Sequence, residues 1–399
     1  MLVTHVLGDC PKCRGKLQYG NVTVKGFGVL RGCENCSYSI TIPLPKIKKK
    51  ILYLDQFFFS SAFKKHDPRF VKAAGRIREI SASQLLVVPF STIHEDETHQ
   101  WRGFDGKNKE DLMEFIKSTS RGHQFKLAYD VEESQILKAF QVFLANKPEI
   151  FDLEERIAID PDVHEWDDYF RIDVGRYLGD IELIRSLKNQ SVETLVDLFP
   201  GWRISTTTFD QNVKLEMQEA AKSYMESYFK YIARIASGDV NALFDSPITS
   251  QVVQLLLFCF SKEIPQDQQW RKISDFFISP HFSEIPHLWI SARIFAVLKK
   301  KLKQGAYTNR DRALTHFKGF FKDISHIATY APYCDAFVMD NAMASIVADP
   351  DIHLESRYGT KIFSLNNWEQ LFIWLDDLEA SMSQEHREGL IAAYPSTSL

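Results

Sequence analysis

The chain has 399 residues, of which 45% are hydrophobic and 25% are charged, and its formal net charge is −4 at pH 7. This composition is typical of a soluble globular protein with a sizeable core, and the net charge excludes a uniformly basic nucleic-acid binder. An anionic partner would therefore need a local basic patch or metal ions. No apolar run is long enough to span a bilayer and the first residues contain no signal-peptide core, so we expect a cytoplasmic protein without a membrane partner.

Residues 1–45 carry two pairs of cysteines, each of the form CxxC, separated by nineteen residues. Four thiolates at this spacing can surround one Zn²⁺ tetrahedrally, and glycines between the pairs are typical of a small hairpin. The spacing predicts a zinc ribbon with a structural Zn²⁺, because all four ligand positions are filled. The alternatives are a redox CxxC or two unrelated pairs. The predicted ligands are Cys10, Cys13, Cys33 and Cys36.

Residues 46–104 read as the first part of an α/β domain. A lysine-rich run over 46–50 is either a solvated linker or a phosphate-facing patch. A buried strand over 51–54 ends at Asp55, a helix follows, and a second buried strand is predicted over 85–88. Ser91 then precedes an acidic helix start that contains Glu95, Asp96 and Glu97, and the sequence leaves open which of these three points inward.

Two histidines in this acidic segment suggest a metalloprotease, so their spacing has to be examined. The zincin motif HExxH places its histidines four residues apart on one helical face. His94 and His99 are five residues apart. This spacing turns the second histidine away from the first, and we therefore reject a zincin.

Residues 105–308 show helical periodicity in most segments, and the longest predicted helix runs from 215 to 236. The stretch over 160–180 is rich in acidic residues and is interpreted as a solvated connection. No internal repeat and no phosphate-binding glycine loop is present. We interpret this block as a large helical insertion, which offers a surface for a homo-oligomer or a protein partner.

The α/β pattern returns over residues 309–399. Asp323 opens a helix that Pro332 ends, and a buried strand is predicted over 336–339. Asp335 stands at the start of that strand and Asp340 stands just past its end. A last short strand is predicted over 361–363, and an amphipathic helix closes the domain. The alternation of strands and helices predicts that all four strands are parallel members of one sheet.

The acidic positions and their order along the chain resemble those of the PIN-domain nucleases. LYLDQ resembles the first PIN strand with its aspartate, here Asp55. Ser91 followed six residues later by Glu97 resembles the next PIN motif. Asp323 to Asp340 resembles the stretch in which one aspartate opens a helix and another follows the next strand. SLNN, at residues 364–367, takes the place of a further polar or acidic residue of the family.

The resemblance covers residues 50–100 and 310–380 and implies a parallel sheet flanked by helices. It further implies metal-dependent hydrolysis of phosphodiester bonds, more often in RNA than in DNA, with Mg²⁺ or Mn²⁺ bound by acidic residues. The residues implied in catalysis are Asp55, Glu97, Asp323, Asp340 and, at the edge of the pocket, Asp335, and the first four are the expected metal ligands. Because residues just past adjacent parallel strands lie closest together, we expect Asp55 and Asp340 to be direct ligands, with Glu97 bridging or binding through water. A toxin-like or phage-defence role is suggested by analogy alone.

A different class of function is also compatible with the sequence. Aspartates are common helix caps, and a chain with 52 acidic residues places several of them at strand ends by chance. The protein would then be a non-catalytic adaptor, with a zinc ribbon that binds nucleic acid or protein and a helical body for assembly. The two functions differ in one structural respect, because only the nuclease requires Asp55, Glu97 and Asp340 to converge.

Overall fold

The computed structural model describes residues 1–167, 191–239, 248–261 and 263–395. An antiparallel sheet occupies the N-terminal region, with its strands in the order β1-β2-β3-β4 and β7 paired with β2. Its strands are β1 (His5–Gly8), β2 (Tyr19–Gly26), β3 (Gly28–Cys33), β4 (Ser39–Pro43) and β7 (Trp166–Asp167). The left-handed backbone of Gly26, with φ of 63°, closes the hairpin between β2 and β3.

This antiparallel sheet is not separate from the rest of the chain. The buried Asn21 side chain donates hydrogen bonds to the carbonyls of Ala392 and Ala393, at 3.0 and 2.9 Å. Trp166 Nε1 donates to the carbonyl of Pro45 at 2.7 Å. The N-terminal unit predicted over 1–45 is therefore extended by β7 and by the end of the chain.

The acidic stretch over 160–180 is not simply a solvated connection in its described part. The carboxylate of Asp167 binds Lys49 Nζ at 2.8 Å and Arg121 Nη2 at 3.1 Å. The Lys49 side chain is only 2% exposed, so this lysine of the basic run anchors β7 and does not face a phosphate. Residues 168–180 of the stretch lie outside the described residues.

A second sheet is parallel throughout, which confirms the prediction of one α/β sheet. Its strands lie in the order β6-β5-β8-β9. They are β5 (Lys50–Leu54), β6 (Leu86–Val87), β8 (Ala336–Val338) and β9 (Lys361–Phe363). Segments almost 300 residues apart in the chain thus pair directly, because Leu52 is aligned with Ala336 and Leu54 with Val338.

Side chains alternate between the two faces of this sheet, as a pleated strand requires. Leu52 and Leu54 belong to one apolar cluster, which the helices on the first face cover. These helices are α1 (Gln56–Lys64), α2 (Pro68–Ala82) and α4 (Lys109–Thr119), with Trp368–Ala380 as the closing helix, whereas α3 (Thr92–His99) contributes Ile93 to the cluster on the other face. α4 lies within the predicted insertion, yet its Leu112 and Ile116 join the core of the sheet.

Ile51, Tyr53 and Phe337 point to the other face and belong to a larger apolar cluster, which is built from the helical body. The helices of this body within the described residues are α5 (Ala128–Leu144), α6 (Phe199–Ile204), α7 (Phe209–Ala236), α8 (Ile248–Phe258), α9 (Gln266–Phe277), α10 (Pro280–Ser283), α11 (Pro286–Lys303), α12 (Arg310–His316) and α13 (Phe320–Tyr330). The remaining helices are α14 (Asn341–Val347), α15 (Leu354–Tyr358), the closing helix α16 (Trp368–Ala380) and α17 (Gln384–Ala393). None of the described helices is long and apolar enough to cross a membrane.

Candidate metal centres

Two aspartates stand side by side at the carboxyl edge of the parallel sheet. Asp55 follows β5 directly, and Asp340 comes two residues after the neighbouring strand β8. The backbone N–H of Asp55 donates to the carbonyl of Val338 at 3.0 Å, which ties the two strand ends together. Each aspartate also caps a helix: Asp55 Oδ1 accepts from Gln56 N at 2.7 Å and Asp340 Oδ1 from Met343 N at 2.8 Å.

Helices α3 and α13 bring further ligand atoms to this edge. Asp55, Glu97 and His326 each offer one ligand atom, and the three atoms lie within 4.8 Å of one another. Of the three acidic residues that the sequence left open, the structure thus groups Glu97 with Asp55. Asp323 lies in the first turn of α13, one helical turn before His326.

Gly319 makes room for the Asp323 carboxylate. A Cβ atom at Gly319 would lie 3.1 Å from Asp323 Oδ2, which is closer than side chains normally pack. The glycine that precedes α13 therefore lets this carboxylate fold back over the start of its own helix.

The charge around Asp55 is strongly unbalanced. Burial raises the pKa of Asp55 well above its usual value, and the carboxylates of Asp323, Glu97 and Asp340 raise it further. Only 7% of Asp55 is exposed, so water screens this repulsion poorly. The negative charges of Asp323, Glu97 and Asp340 thus act on Asp55 at an edge of the sheet where a divalent cation would relieve the repulsion.

Asp335 does not belong to this group, and its predicted place at the edge of the pocket is corrected. It precedes β8, so it lies at the amino edge of the sheet, with the length of the strand between it and Asp340. Its carboxylate accepts from Ile51 N at 2.8 Å and binds Lys50 Nζ at 2.7 Å. In a parallel sheet, residues before and after a strand lie at opposite edges.

His326 is the candidate metal ligand that the sequence did not predict. Its side chain is 1% exposed, and burial lowers its pKa. Its Nδ1 contacts the hydroxyl of Tyr53. A signal was present in the sequence, because Asp323 and His326 are three residues apart in a predicted helix and so share one face.

His94 fixes the start of α3 beside β5. Its Nε2–H donates to the carbonyl of Leu54 at 2.8 Å, and its Nδ1 accepts from Ser91 N at 2.9 Å. Burial and, to a smaller extent, the nearby His326 lower the pKa of His94 to about 3, so the ring is neutral. His99 instead donates to the carbonyl of Glu95 at 2.7 Å, and the two histidines have separate backbone partners.

The asparagines after β9 serve the local backbone. Asn367 Oδ1 accepts from Ser364 N at 2.7 Å, and Asn367 Nδ2 donates to the carbonyl of Ile362 at 2.9 Å. Asn366 N donates to Asn341 Oδ1 at 3.2 Å, next to Asp340. These contacts explain the amide at residue 367, which both donates and accepts.

The four N-terminal cysteines form a second group of candidate ligands, with atoms also within 4.8 Å of one another. The Sγ atoms of Cys10 and Cys36 lie 3.7 Å apart, as do those of Cys13 and Cys33. These separations are far too long for a disulfide bond of about 2.05 Å. They match the edge of a tetrahedron around Zn²⁺, which is about 3.8 Å for Zn–S distances of about 2.3 Å. The cluster can therefore hold a tetrahedral metal ion.

Comparisons of the chain with protein-family models, with curated proteins and with solved structures give no match. The resemblance to PIN-domain nucleases therefore rests on the motifs and on the geometry described above.

Proposed function

We propose that the protein is a metal-dependent nuclease with a PIN-like catalytic centre and that it hydrolyses phosphodiester bonds, preferably in RNA. The observation that carries this proposal is that ligand atoms of Asp55 and Glu97 lie within 4.8 Å of each other at the carboxyl edge of the parallel sheet, with the carboxylates of Asp323 and Asp340 near enough to raise the pKa of Asp55. Helix capping accounts for one oxygen of Asp55 and one of Asp340, but capping gives no reason for four carboxylates to meet. An adaptor does not require this convergence either.

In this proposal Asp55 and Glu97 hold a Mg²⁺ or Mn²⁺ ion, and Asp323 and Asp340 add negative charge beside them. The bound ion would polarise a phosphoryl oxygen and lower the pKa of the attacking water. During hydrolysis the water oxygen bonds to phosphorus, the bond to the leaving ester oxygen breaks, and a base accepts the proton of the water. Asp323 and Asp340 are only partly buried, so they are the carboxylates placed to accept that proton.

The N-terminal cysteine cluster is proposed as a structural zinc ribbon. Its four sulfur donors fill a tetrahedral ion completely and leave no position for a substrate or water. The ribbon would therefore support the fold or a partner surface without taking part in hydrolysis. The helical body offers the remaining surface for a protein partner or a second copy of the chain.

The test is a cleavage assay on end-labelled RNA and DNA with Mg²⁺, with Mn²⁺ and with EDTA. We expect wild-type protein to cleave RNA with either metal ion and EDTA to abolish cleavage. Asp55→Asn keeps the helix cap but removes one charge from the site, and cleavage should fall by at least about 100-fold.

Asp335→Asn is the matched control, because it removes the same charge from the opposite end of the neighbouring strand. It should leave cleavage within about twofold of wild type, since its partner Lys50 is half exposed and distant from the acidic cluster. Full cleavage by folded Asp55→Asn protein would refute the proposal. Equal loss of activity in both variants would also count against it.

A further inference from the structure

His326 is buried at the acidic cluster, and its two ring nitrogens have very different surroundings. Nδ1 contacts the Tyr53 hydroxyl. Nε2 lies 3.8 Å from Glu97 Oε2, beyond hydrogen-bond distance, and has no hydrogen-bond partner among the residues that the structure describes. A buried nitrogen without a partner costs free energy unless something binds it. Its position beside Asp55 and Glu97 indicates a cation.

A chain of hydrogen bonds links the carbonyl of Leu54 to His326 and is consistent with a proton on Nδ1 of His326. It begins at the carbonyl of Leu54, which can only accept, so His94 carries its proton on Nε2. His94 Nδ1 therefore has a lone pair, which accepts from Ser91 N at 2.9 Å. Ser91 Oγ lies 3.1 Å from the same nitrogen and can donate its proton to it.

The chain continues from Ser91 to His326. The oxygen of Ser91, having donated, accepts the Tyr53 hydroxyl proton across 2.9 Å. The oxygen of Tyr53 is then the acceptor in its contact with His326, whose Nδ1 carries the proton. In this arrangement Nε2 of His326 is unprotonated, and its lone pair faces the acidic cluster. This is the form in which histidine binds metal ions, with the other nitrogen donating to an orienting group.

We propose that His326 Nε2 is a direct ligand of the metal ion at Asp55 and Glu97, that Tyr53 orients it, and that the site therefore prefers Mn²⁺ to Mg²⁺. The inference rests on the metal site of the proposed function and refines the identity of its ion. Mg²⁺ binds oxygen ligands almost exclusively. Two carboxylates and one imidazole suit a first-row transition ion better, because imidazole binds such ions well.

The test measures metal binding directly, so it does not depend on cleavage. Wild-type protein is freed of weakly bound metal, titrated with Mn²⁺ by calorimetry and examined by pulsed EPR. A second sample is grown with ¹⁵N-labelled histidine. We expect one Mn²⁺ site whose directly bound nitrogen signal changes from ¹⁴N to ¹⁵N in the labelled protein. Competition with Mg²⁺ should show a preference for Mn²⁺ of about 10-fold or more.

Two variants and one control locate the nitrogen. His326→Gln should remove the signal and reduce the Mn²⁺/Mg²⁺ preference. Tyr53→Phe should keep the signal but weaken Mn²⁺ binding by about 10-fold, as expected for an orienting group. His287→Gln changes another buried histidine, whose Nδ1 is 2.9 Å from Gln135 Oε1 and whose Nε2 is 3.4 Å from the Tyr224 hydroxyl, and it should change neither quantity.

The outcomes separate this inference from the proposed function. If wild-type protein binds Mn²⁺ and cleaves RNA but histidine labelling leaves the EPR signal unchanged, His326 is not a ligand and the inference fails while the nuclease proposal stands. If the labelled nitrogen binds Mn²⁺ but no nucleic acid is cleaved, the site is real and the nuclease proposal fails. A wild-type protein that binds no Mn²⁺ overturns the inference, and the cleavage assay then decides the function by itself.

Discussion

The two candidate metal centres are built in opposite ways. The cysteine cluster is local, because its four donors come from one small sheet and Cys10 and Cys36 are 26 residues apart. The acidic cluster is assembled by the fold, because Asp55 and Asp340 meet only when β5 pairs with β8. Four sulfur atoms close one site, whereas two carboxylates and one histidine leave room at the other for water and a phosphate. The comparison indicates that a metal ion would stabilise the local fold at the cysteine cluster, whereas at the acidic cluster the fold itself assembles the ligands.

Removing one ligand should therefore have opposite consequences for stability at the two centres. At the cysteine centre a bound zinc ion would supply folding free energy, so we expect the loss of a ligand to destabilise the protein. At the acidic centre the protein supplies the free energy that holds like charges together, so losing a charge stabilises the metal-free protein.

The largest effect is expected for Cys33→Ser. Cys33 is fully buried, and its Sγ accepts from Asn35 N at 3.3 Å. Zinc binding in small domains contributes about 10–16 kcal/mol, so its loss should unfold β1 to β4. Zinc analysis should show about one equivalent in wild type and none in the variant, and hydrogen exchange over residues 5–43 should become fast. Zinc-free wild-type protein with a protected ribbon would contradict this expectation.

A smaller effect is expected when Mn²⁺ is added to metal-free protein. Mn²⁺ at about 100 times its dissociation constant should raise the free energy of unfolding by about 2.7 kcal/mol. The same addition should have little effect on Asp55→Asn, which lacks one ligand charge. Urea denaturation with and without Mn²⁺ measures both values. An equal increase in the free energy of unfolding of wild type and Asp55→Asn would show that Mn²⁺ binds at a site that does not include Asp55.

Without metal, the Asp55→Asn variant should be more stable than wild type. The fold raises the pKa of Asp55, so the charged carboxylate costs the folded protein free energy near pH 7, and Asp55→Asn should increase the free energy of unfolding. Asp335→Asn should lose up to about 1 kcal/mol instead, because it breaks a partly exposed ion pair with Lys50. Urea denaturation of the two variants in EDTA tests the opposite signs, and a loss of stability in both would contradict the account.

A pH-dependent effect concerns His287, a buried histidine whose two nitrogens both have partners, unlike those of His326. Burial lowers the pKa of His287 to about 3. Below about pH 6.5, His287 binds a proton in the unfolded chain but stays neutral in the folded protein. The free energy of unfolding therefore falls as the pH drops from about 6.5 towards 3.

His287→Gln should reduce the slope of this loss by up to about 1.4 kcal/mol per pH unit, with or without Mn²⁺. Denaturation curves between pH 4 and 7 measure the slope, and the exposed His353→Gln serves as the control. An unchanged slope in His287→Gln would show that this histidine is not held neutral by the fold.

The parallel sheet could be predicted from the sequence because each of its strands is a short apolar run that is bounded by polar residues or proline. It also indicated Asp55, Glu97, Asp323 and Asp340, since each follows a strand or opens a helix. The prediction for Asp335 was wrong because Asp335 precedes β8 and Asp340 follows it, so the two carboxylates lie at opposite edges of the sheet. Residues on either side of one short strand are close in the sequence but lie at opposite edges of the sheet.

Other features depend on contacts between distant parts of the chain. The attachment of Asn21 to Ala392 joins residues 371 positions apart, and neither end carries a motif. The orientation of His326 requires Tyr53, Ser91 and His94 to be adjacent, which only the pairing of β5 with β8 and the packing of α3 and α13 provide. The helix spacing of Asp323 and His326 was visible in the sequence, but the orphaned nitrogen was not.

The central claim is that the carboxyl edge of β5 and β8 binds a divalent metal ion. The most direct measurement is a crystal structure of the protein soaked in Mn²⁺, with anomalous diffraction recorded at a wavelength where manganese scatters. We predict one anomalous peak between Asp55, Glu97 and His326, about 2.1 Å from each ligand atom. The absence of a peak at this edge, or a peak beside Asp335 at the other end of β8, would contradict the account.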